Sequence, residues 1–196
     1  MDPVNGDDLT RRLIDEGSRL LAEYGPAGLS LRNVAAAAGT STMAVYTHFG
    51  DKQGLLAAMH REGFRRLGER LRQARAQAPD SLTELGRAYR LAALESPHLY
   101  GLMFGSRPAG FAPNEADDKA ADATYTPLVD GVRAAVERGV FAGDPERIAL
   151  HLWVVAHGMV SLELAGLLPV APEDAARHYE QALLLAAEPF MPPVAV

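Results

Sequence analysis

The residues whose types and spacing indicate a function lie within residues 31–49. Residues 40–42, Thr-Ser-Thr, carry hydroxyls that can accept hydrogen bonds from the first backbone N–H groups of a helix. Ala35, Gly39 and Val45 fall at offsets of four and ten. Two crossed helices need a small contact residue, a turn glycine and a buried β-branched residue at that spacing. The segment therefore predicts a helix-turn-helix, which places its second helix in the major groove of DNA.

Helical elements position this segment on both sides. A run of strong helix formers, residues 32–38, precedes Gly39, which tolerates the left-handed φ of a helix end. Asp51 is placed to cap a long helix that reaches about Gln77, with Leu55, Met59 and other apolar residues in one stripe. An ordinary corner between two helices is the alternative interpretation of residues 31–49.

The rest of the chain indicates more helices and no convincing strand. Apolar residues recur with a helical period, and Gly, Pro and capping residues such as Asp144 interrupt the pattern, so that about nine helices are expected. The first spans about residues 7–24 and ends its apolar stripe at Tyr24. A later helix at about 115–138 contains Pro127, so it is either kinked there or begins at that proline. The predicted fold class is all-α.

Composition limits the environment in which the chain works. The 196 residues include no cysteine, which excludes disulfides and thiol metal sites and fits a reducing compartment. The N-terminus is polar and charged, without the apolar stretch of a signal peptide. The longest apolar runs are too short or too interrupted to span a bilayer. We expect a soluble, cytoplasmic protein that does not enter membranes.

Charge is unevenly distributed along the chain, although the formal net charge is −6. Residues 1–52 carry a net charge of −2, residues 53–79 of +4, and residues 80–196 of −8. Within residues 30–50, Arg32 is the only formal charge. The acidity therefore lies mainly outside the predicted helix-turn-helix, and attraction of that motif to phosphate is modest.

Catalytic chemistry has little support in the sequence. Six histidines accompany many carboxylates, but they form neither a His-Glu-x-x-His motif nor a Glu-x-x-His pair repeated on two helices. A phosphate-binding glycine loop and a Gly-x-Ser-x-Gly turn are also missing from the sequence. We expect a protein that is not an enzyme and that uses no catalytic residue, metal or cofactor.

Several motifs together resemble the tetracycline-repressor (TetR) family. Residues 31–41 resemble the second helix and turn of its DNA-binding domain, residues 45–49 its recognition helix, and residues 51–56 the start of its fourth helix. The rest resembles a variant C-terminal domain named for a Trp-His-Gly signature, carried here by Trp153, His157 and Gly158. The resemblance implies a three-helix DNA-binding head at residues 1–52 and a ligand-binding and dimerisation domain at residues 53–196.

The resemblance also implies particular DNA contacts. Tyr46 and His48 match positions that contact the DNA backbone, and Lys52 lies where an ammonium and a helix N-terminus together hold a phosphate. Base edges would be read mainly from the recognition helix, although two of its reading positions lack a hydrogen-bonding side chain. The complete predicted set is Arg32, Thr40, Ser41, Thr42, Met43, Ala44, Tyr46, His48 and Lys52.

The C-terminal domain is expected to bind a small hydrophobic effector. Soft methionine and aromatic side chains suit a pocket that repacks around varied ligands. The predicted ligand-binding residues are Tyr89, Met103, Phe104, Trp153 and His157. Trp153 and His157 lie four residues apart and thus on one helical face. Two alternatives stay open for this signature. It either contacts the ligand directly, or it has a structural role in which His157 is hydrogen-bonded inside the protein and Gly158 allows two helices to approach closely.

The implied function is that of a ligand-responsive, homodimeric transcriptional regulator, most simply a repressor. The last two long helices, at about residues 145–165 and 173–188, are broadly apolar and rich in small residues, which favours a dimer interface. A two-fold dimer reads palindromic half-sites about 34 Å apart or a multiple of that distance. A helical adaptor that binds protein or RNA is the main alternative, and an enzyme is the remote one.

Overall fold

The computed structural model describes residues 4–105 and 111–193, and all regular secondary structure within these ranges is helical. The nine α-helices found there are α1 (Val4–Gly28), α2 (Leu31–Ala37), α3 (Thr42–Phe49), α4 (Lys52–Gln77), α5 (Leu82–Glu95), α6 (Pro97–Phe104), α7 (Glu115–Glu137), α8 (Pro145–Leu164) and α9 (Ala175–Ala187). Short 3₁₀ turns, Pro172–Asp174 and Glu188–Phe190, flank α9. The predicted all-α class is confirmed.

The chain forms two compact units whose boundaries cut through helices. The first unit comprises Met1–Arg65 and Ser96–Ala121, and the second comprises Arg66–Glu95 and Asp122–Val196. Both α4 and α7 therefore contribute residues to each unit. The sequence predicts a different division, by function, into a DNA-binding head at residues 1–52 and a C-terminal domain at residues 53–196. The compact units are defined by contacts within the fold, so that functional division stays a prediction.

The first unit has a continuous apolar core that supports the helix-turn-helix. Leu13 of α1, Val34 of α2 and Val45 of α3 are fully buried and pack in one cluster with Leu55 and Leu56 of α4. The cluster also includes Leu99 and Leu102 of α6 and Phe111. Burying such side chains stabilises each by about 1.5–3 kcal/mol relative to exposure, so the core fixes the orientation of the two short helices.

The second unit is built on the pairing of α8 with α9. Ile148 and Ala149 of α8 are buried with Val132 of α7 and Ala186 of α9 in one cluster. The helix α5 packs on both α8 and α9. Tyr179 of α9 is 1% exposed and donates its hydroxyl to Gly86 O at 2.9 Å. Burial raises the pKa of this tyrosine.

Two ion pairs join α5 to that helix pair. Arg90 Nε donates to Glu163 Oε2 at 2.7 Å, and its Nη2 donates to the other carboxylate oxygen. Both side chains are mostly buried. Arg87 forms a similar fork with Glu180 at 2.6 and 2.9 Å, but it lies nearer to solvent. Such bidentate pairs fix geometry as well as adding energy.

Helix ends follow local chemistry, with some departures from the expected boundaries. Gly25 has a non-helical φ of 67°, so the predicted end of the first helix is a kink within α1, and the element continues to Gly28. Tyr24, at the end of the predicted apolar stripe, is 59% exposed. Pro127 lies inside α7, which therefore does not begin at that proline. Asp144 caps α8 as expected, because its Oδ1 accepts from Glu146 N at 3.0 Å.

Candidate nucleic-acid interface

Hydrogen bonds at the helix ends fix the geometry of the helix-turn-helix. Ser30 Oγ accepts from Asn33 N at the start of α2, and Ser41 Oγ accepts from Ala44 N at the start of α3, each at 3.1 Å. Between the helices, Gly39 has a φ of +66°, a left-handed value that glycine adopts without a Cβ clash. The predicted turn glycine and the serine cap of α3 are confirmed.

The helix α3 has one buried and one exposed side. Val45 is 0% exposed and anchors α3 in the core of the first unit. Met43 and Tyr46, which flank it, are 73% and 52% exposed. This side of α3 therefore presents to solvent two of the side chains that the sequence predicts to contact DNA.

The predicted DNA contacts divide by exposure. Arg32, Ser41, Met43, Tyr46 and His48 are exposed, whereas Thr40, Thr42, Ala44 and Lys52 are partly buried. All nine belong to the first unit. Their polar groups are a guanidinium, four hydroxyls, an imidazole and an ammonium. These groups can donate hydrogen bonds to phosphate oxygens.

Lys52 has a structural contact that the sequence did not predict. Its Nζ donates to the carbonyl oxygen of Pro26 at 2.5 Å, across 26 residues of chain. The preceding residue, Asp51, caps α4 by accepting from Gly54 N at 2.8 Å, as predicted. An ammonium has three donor hydrogens, so the bond to Pro26 leaves two for other acceptors. The bond ties the start of α4 to the end of α1.

His48 is also held by a distant residue. Its Nδ1 lies 3.1 Å from Thr10 Oγ1 of α1, and its ring centroid lies 6.0 Å from that of Phe49. Thr47, another exposed hydroxyl residue on α3, instead donates to Met43 O inside the helix at 2.9 Å. Sequence reasoning did not find Thr10, since nothing in its local pattern distinguishes it from other polar residues of α1.

The basic stretch at residues 53–79 is partly neutralised within the protein. Arg61 Nη1 donates to the fully buried Asp117 at 3.0 Å, and Arg65 Nε donates to Glu62 at 2.6 Å. Arg70 pairs with Glu95. Glu62 is already counted in the local net charge of +4, so the two partners from outside the stretch, Asp117 and Glu95, lower its effective charge further.

A polar cluster in the second unit contains three of the five predicted ligand-binding residues. Tyr89 Oη lies 3.3 Å from His157 Nδ1, and Ser161 Oγ lies 3.4 Å from His157 Nε2. The rings of Trp153 and His157 have centroids 5.7 Å apart, and the Tyr125 ring lies edge-on to Trp153 with a centroid distance of 5.8 Å. Burial lowers the pKa of His157, so the imidazole is neutral near pH 7.

The other two predicted ligand-binding residues belong to the first unit. Met103 packs against Gly63, where an added Cβ would lie 2.5 Å from its Sδ. Phe104 lies edge-on to Phe64, with ring centroids 5.5 Å apart. The predicted five-residue set is thus divided between the two compact units.

An exposed apolar stripe follows the outer side of α8 and α9. Leu150, Val154 and Leu162 of α8 are 43–55% exposed, and Leu184 and Leu185 of α9 are 52% and 63% exposed. Within the same stretch of α8, a Cβ built on Gly158 meets nothing within 4 Å. No helix in the described ranges is both long and apolar enough to cross a membrane.

Comparison with known proteins identifies the family. Residues 13–59 match the sequence model described as bacterial regulatory proteins of the tetR family. Residues 82–185, more than half of the chain, match the model described as the tetracyclin repressor-like C-terminal domain. The chain belongs to the TetR family. This family is a class of regulatory proteins rather than of enzymes, as the sequence predicted.

Individual relatives agree with that assignment. The HTH-type transcriptional regulator Rv1816 of Mycobacterium tuberculosis is 26% identical over 139 residues, which is 68% of this chain and 59% of the relative. The HTH-type transcriptional repressor AcnR of Corynebacterium glutamicum is 35% identical over 106 residues, 53% of this chain and 51% of that protein. The matches thus span between about half and three-fifths of the length of these relatives.

The fold has close counterparts among solved structures. The putative regulatory protein SCO4313 superposes with a TM-score of 0.80 and 26% identity, over 96% of this chain and all of that one. A protein of unknown function from Rhodococcus sp. RHA1 superposes with a TM-score of 0.78 and 29% identity, over 98% of this chain and all of that one.

Proposed function

We propose that the chain is a homodimeric, DNA-binding transcriptional repressor that releases a palindromic operator when a small hydrophobic effector binds. Membership of the TetR family supports the regulatory role. The name of AcnR as a repressor favours repression over activation. Because its target is DNA, the protein acts in the cytoplasm of a bacterial cell.

One observation carries the DNA-binding proposal: α3 is anchored by one buried residue and exposes its flanking side chains. Val45 is 0% exposed, while Met43 and Tyr46 are more than half exposed. A second helix held in this way presents its outer side to the major groove, as in other helix-turn-helix proteins. Enzymatic and adaptor functions need no such presentation of a short helix.

Sequence readout rests on few hydrogen-bonding side chains. Arg32, exposed on α2, can pair with a guanine or a phosphate, and Thr42 can bond to a base edge. Met43 and Ala44 have only apolar contact to offer, for which the thymine methyl group is the available partner in the major groove. Groove shape and deformability therefore supply part of the sequence preference.

Phosphate contacts set the register of the protein on DNA. Tyr46 can donate its hydroxyl and pack its ring on the sugar, and His48 and Lys52 each keep donor capacity beyond their intramolecular bonds. Thr40 and Ser41 bring hydroxyls to the start of α3. The modest net charge of the head makes these contacts more important, since little long-range attraction assists them.

The dimer forms through the outer sides of α8 and α9. The five exposed leucine and valine side chains of these helices make an apolar surface that a second copy of the chain can bury. Gly158 lies in the same stretch and would let two helices approach closely. A two-fold dimer of this kind presents two recognition helices to two half-sites.

The effector binds near the polar cluster of the second unit. His157 is neutral there, and the hydroxyls of Tyr89 and Ser161 lie beside its two ring nitrogens. A hydroxyl or carbonyl on an otherwise apolar molecule would take the place of one of these partners. Trp153, Tyr125 and Tyr89 supply aromatic surface beside it. Met103 and Phe104 of α6 belong to the first unit, and their part in ligand binding stays a prediction from the sequence.

The response follows from linkage between the two sites. An effector releases the operator only if it binds more tightly to a conformation whose recognition helices do not fit the half-sites. The helices α4 and α7 each run through both compact units, so they are the routes by which such a change would reach the head.

A titration with DNA tests the proposal. A labelled duplex from the region upstream of the protein's own gene should be bound at low salt and more tightly than a mixed-sequence duplex. The affinity should fall steeply with added salt, because phosphate contacts release counterions. Equal and weak binding to both duplexes, together with capture of RNA or of a protein partner, would favour the helical adaptor instead.

A further inference from the structure

Thr10 and His48 form a polar contact between two helices of the first unit. Thr10 Oγ1 lies 3.1 Å from His48 Nδ1, and the two residues are separated by 38 positions in the chain. Thr10 is half-buried in the first turns of α1, whereas His48 is exposed near the end of α3. The contact therefore links the N-terminal helix directly to the recognition helix.

Buried neighbours hold both partners in place. Leu13, one turn after Thr10 in α1, is 0% exposed, and so is Val45, one turn before His48 in α3. Both belong to the same apolar cluster. The distance between the hydroxyl and the imidazole is thus set by a packed core, and the contact is available before any DNA is bound.

The contact occupies one ring nitrogen and leaves the other for DNA. Because a hydroxyl both donates and accepts, Thr10 can bond to Nδ1 of the neutral imidazole that carries its proton on Nε2, and also to the imidazolium. In both forms Nε2 carries a hydrogen, whereas the other neutral tautomer donates Nδ1–H to the Thr10 oxygen and leaves Nε2 without one. A phosphate partner selects the forms with Nε2–H. An N–H group is what a phosphate oxygen requires of its partner.

We propose that Thr10 is a positioning residue for DNA binding, holding the His48 imidazole so that Nε2–H faces a phosphate of the operator backbone. The proposal rests on the proposed phosphate contact of His48. Thr10 acts through His48 and needs no contact with DNA itself. Fixing a rotatable side chain before binding removes part of the ordering cost of association, which corresponds to a gain of about twofold to tenfold in affinity.

A double-mutant cycle tests this assignment. Thr10→Val removes the hydroxyl at nearly constant shape, Thr10→Ser keeps it, and His48→Ala removes the imidazole. Thr126→Val is the matched control, since Thr126 is an exposed helical threonine of α7 in the second unit. Each variant is titrated against a mixed-sequence labelled duplex at low salt, and its midpoint of thermal unfolding is measured without DNA.

The expected result is a loss of about twofold to tenfold in DNA affinity for Thr10→Val, and nearly wild-type affinity for Thr10→Ser and Thr126→Val. In the His48→Ala background, Thr10→Val should weaken DNA binding no further. An equal loss from Thr10→Val with and without His48 would overturn the positioning role, as would no loss at all. Failure of the proposed function gives a different result, namely wild-type protein that binds no duplex. Failure of the positioning role alone leaves wild-type DNA binding intact.

Discussion

Val45 and Tyr46 are adjacent in α3, yet Val45 is 0% exposed and Tyr46 is 52% exposed. The first residue closes the core of the helix-turn-helix unit, and the second leaves that core for solvent. This alternation is what allows an eight-residue helix to be rigid and still present side chains to a partner. The proposed DNA contacts depend on it.

Phosphate anchoring by Lys52 can be tested through salt dependence. Lys52→Ala should weaken binding to all duplexes about equally and reduce the slope of log affinity against log salt by about one unit. The chain's other lysine, Lys119, is 74% exposed on α7 and pairs with Glu115 of the same helix, so Lys119→Ala is the control. Titrations at several salt concentrations measure the slope. An unchanged slope and affinity for Lys52→Ala would remove this residue from the contacts.

Dimerisation can be tested by placing a charge in the exposed stripe of α8. Gly158→Arg should give a monomer that no longer binds a palindromic operator, because a desolvated charge opposes burial of the apolar surface. An added side chain at Gly158 meets open space, so the subunit itself should stay folded. Gly101→Arg, at a helical glycine of α6 with equally open space, is the control. Sedimentation that still shows a dimer for Gly158→Arg would place the interface elsewhere.

The neutral state of His157 predicts a dependence of stability on pH. Since burial lowers its pKa, the unfolded chain takes up a proton just below pH 6.5 that the folded protein does not. The stability that depends on neutral His157 is therefore present above about pH 6.5 and is lost as the pH falls through the folded-state pKa. Urea unfolding measures the free energy of unfolding of wild type and of His157→Gln. The difference between these two free energies should shrink as the pH is lowered.

A control and a local probe sharpen that experiment. His151→Gln, a change at an exposed histidine of the same helix, is the control for the substitution of an imidazole by an amide. Trp153 is the chain's single tryptophan, and its ring lies 5.7 Å from that of His157. Its fluorescence in the folded protein should change with a midpoint below pH 6.5. A pH-independent signal, together with an unchanged difference in stability between the two proteins, would contradict the lowered pKa of the partly buried imidazole.

Two Arg–Glu ion pairs of the second unit differ in how far they are buried. Arg90 and Glu163 are 13% and 16% exposed, whereas Arg133 and Glu146 are 47% and 61% exposed. Arg90→Met should lower the free energy of unfolding by about 3 kcal/mol, since it leaves a mostly buried carboxylate unpaired. Arg133→Met should cost at most about 1 kcal/mol. Urea unfolding of both variants makes the comparison, and equal losses would mean that burial does not control these pairs.

Local features of the fold were predictable from sequence because neighbours in the chain determine them. The caps by Asp51 and Asp144 and the turn at Gly39 depend on residues within a few positions, and all three are confirmed. The apolar stripe of α4 was also predictable, since helical periodicity brings Leu55 and Met59 to one buried side.

Contacts between distant parts of the chain were not predictable in the same way. The bonds from Thr10 to His48 and from Lys52 to Pro26 join residues 38 and 26 positions apart, and only the tertiary packing brings them together. Tyr24 continues the apolar period of α1 in the sequence, but it precedes the kink at Gly25 and its side chain is exposed. Met103 and Phe104 were predicted to bind the ligand together with Trp153 because all three are methionine or aromatic residues. Residue type does not indicate to which compact unit a residue belongs.

The central claim is that the exposed side of α3 binds DNA, and fluorescence anisotropy of a labelled upstream duplex tests it most directly. Tyr46→Ala is compared with wild type and with Tyr24→Ala, a change at a tyrosine of similar exposure on α1. We predict that wild type and Tyr24→Ala bind alike, and that Tyr46→Ala binds about tenfold more weakly or worse, because it loses a hydrogen bond to a charged phosphate. Equal affinity of all three proteins for the duplex would contradict recognition through α3.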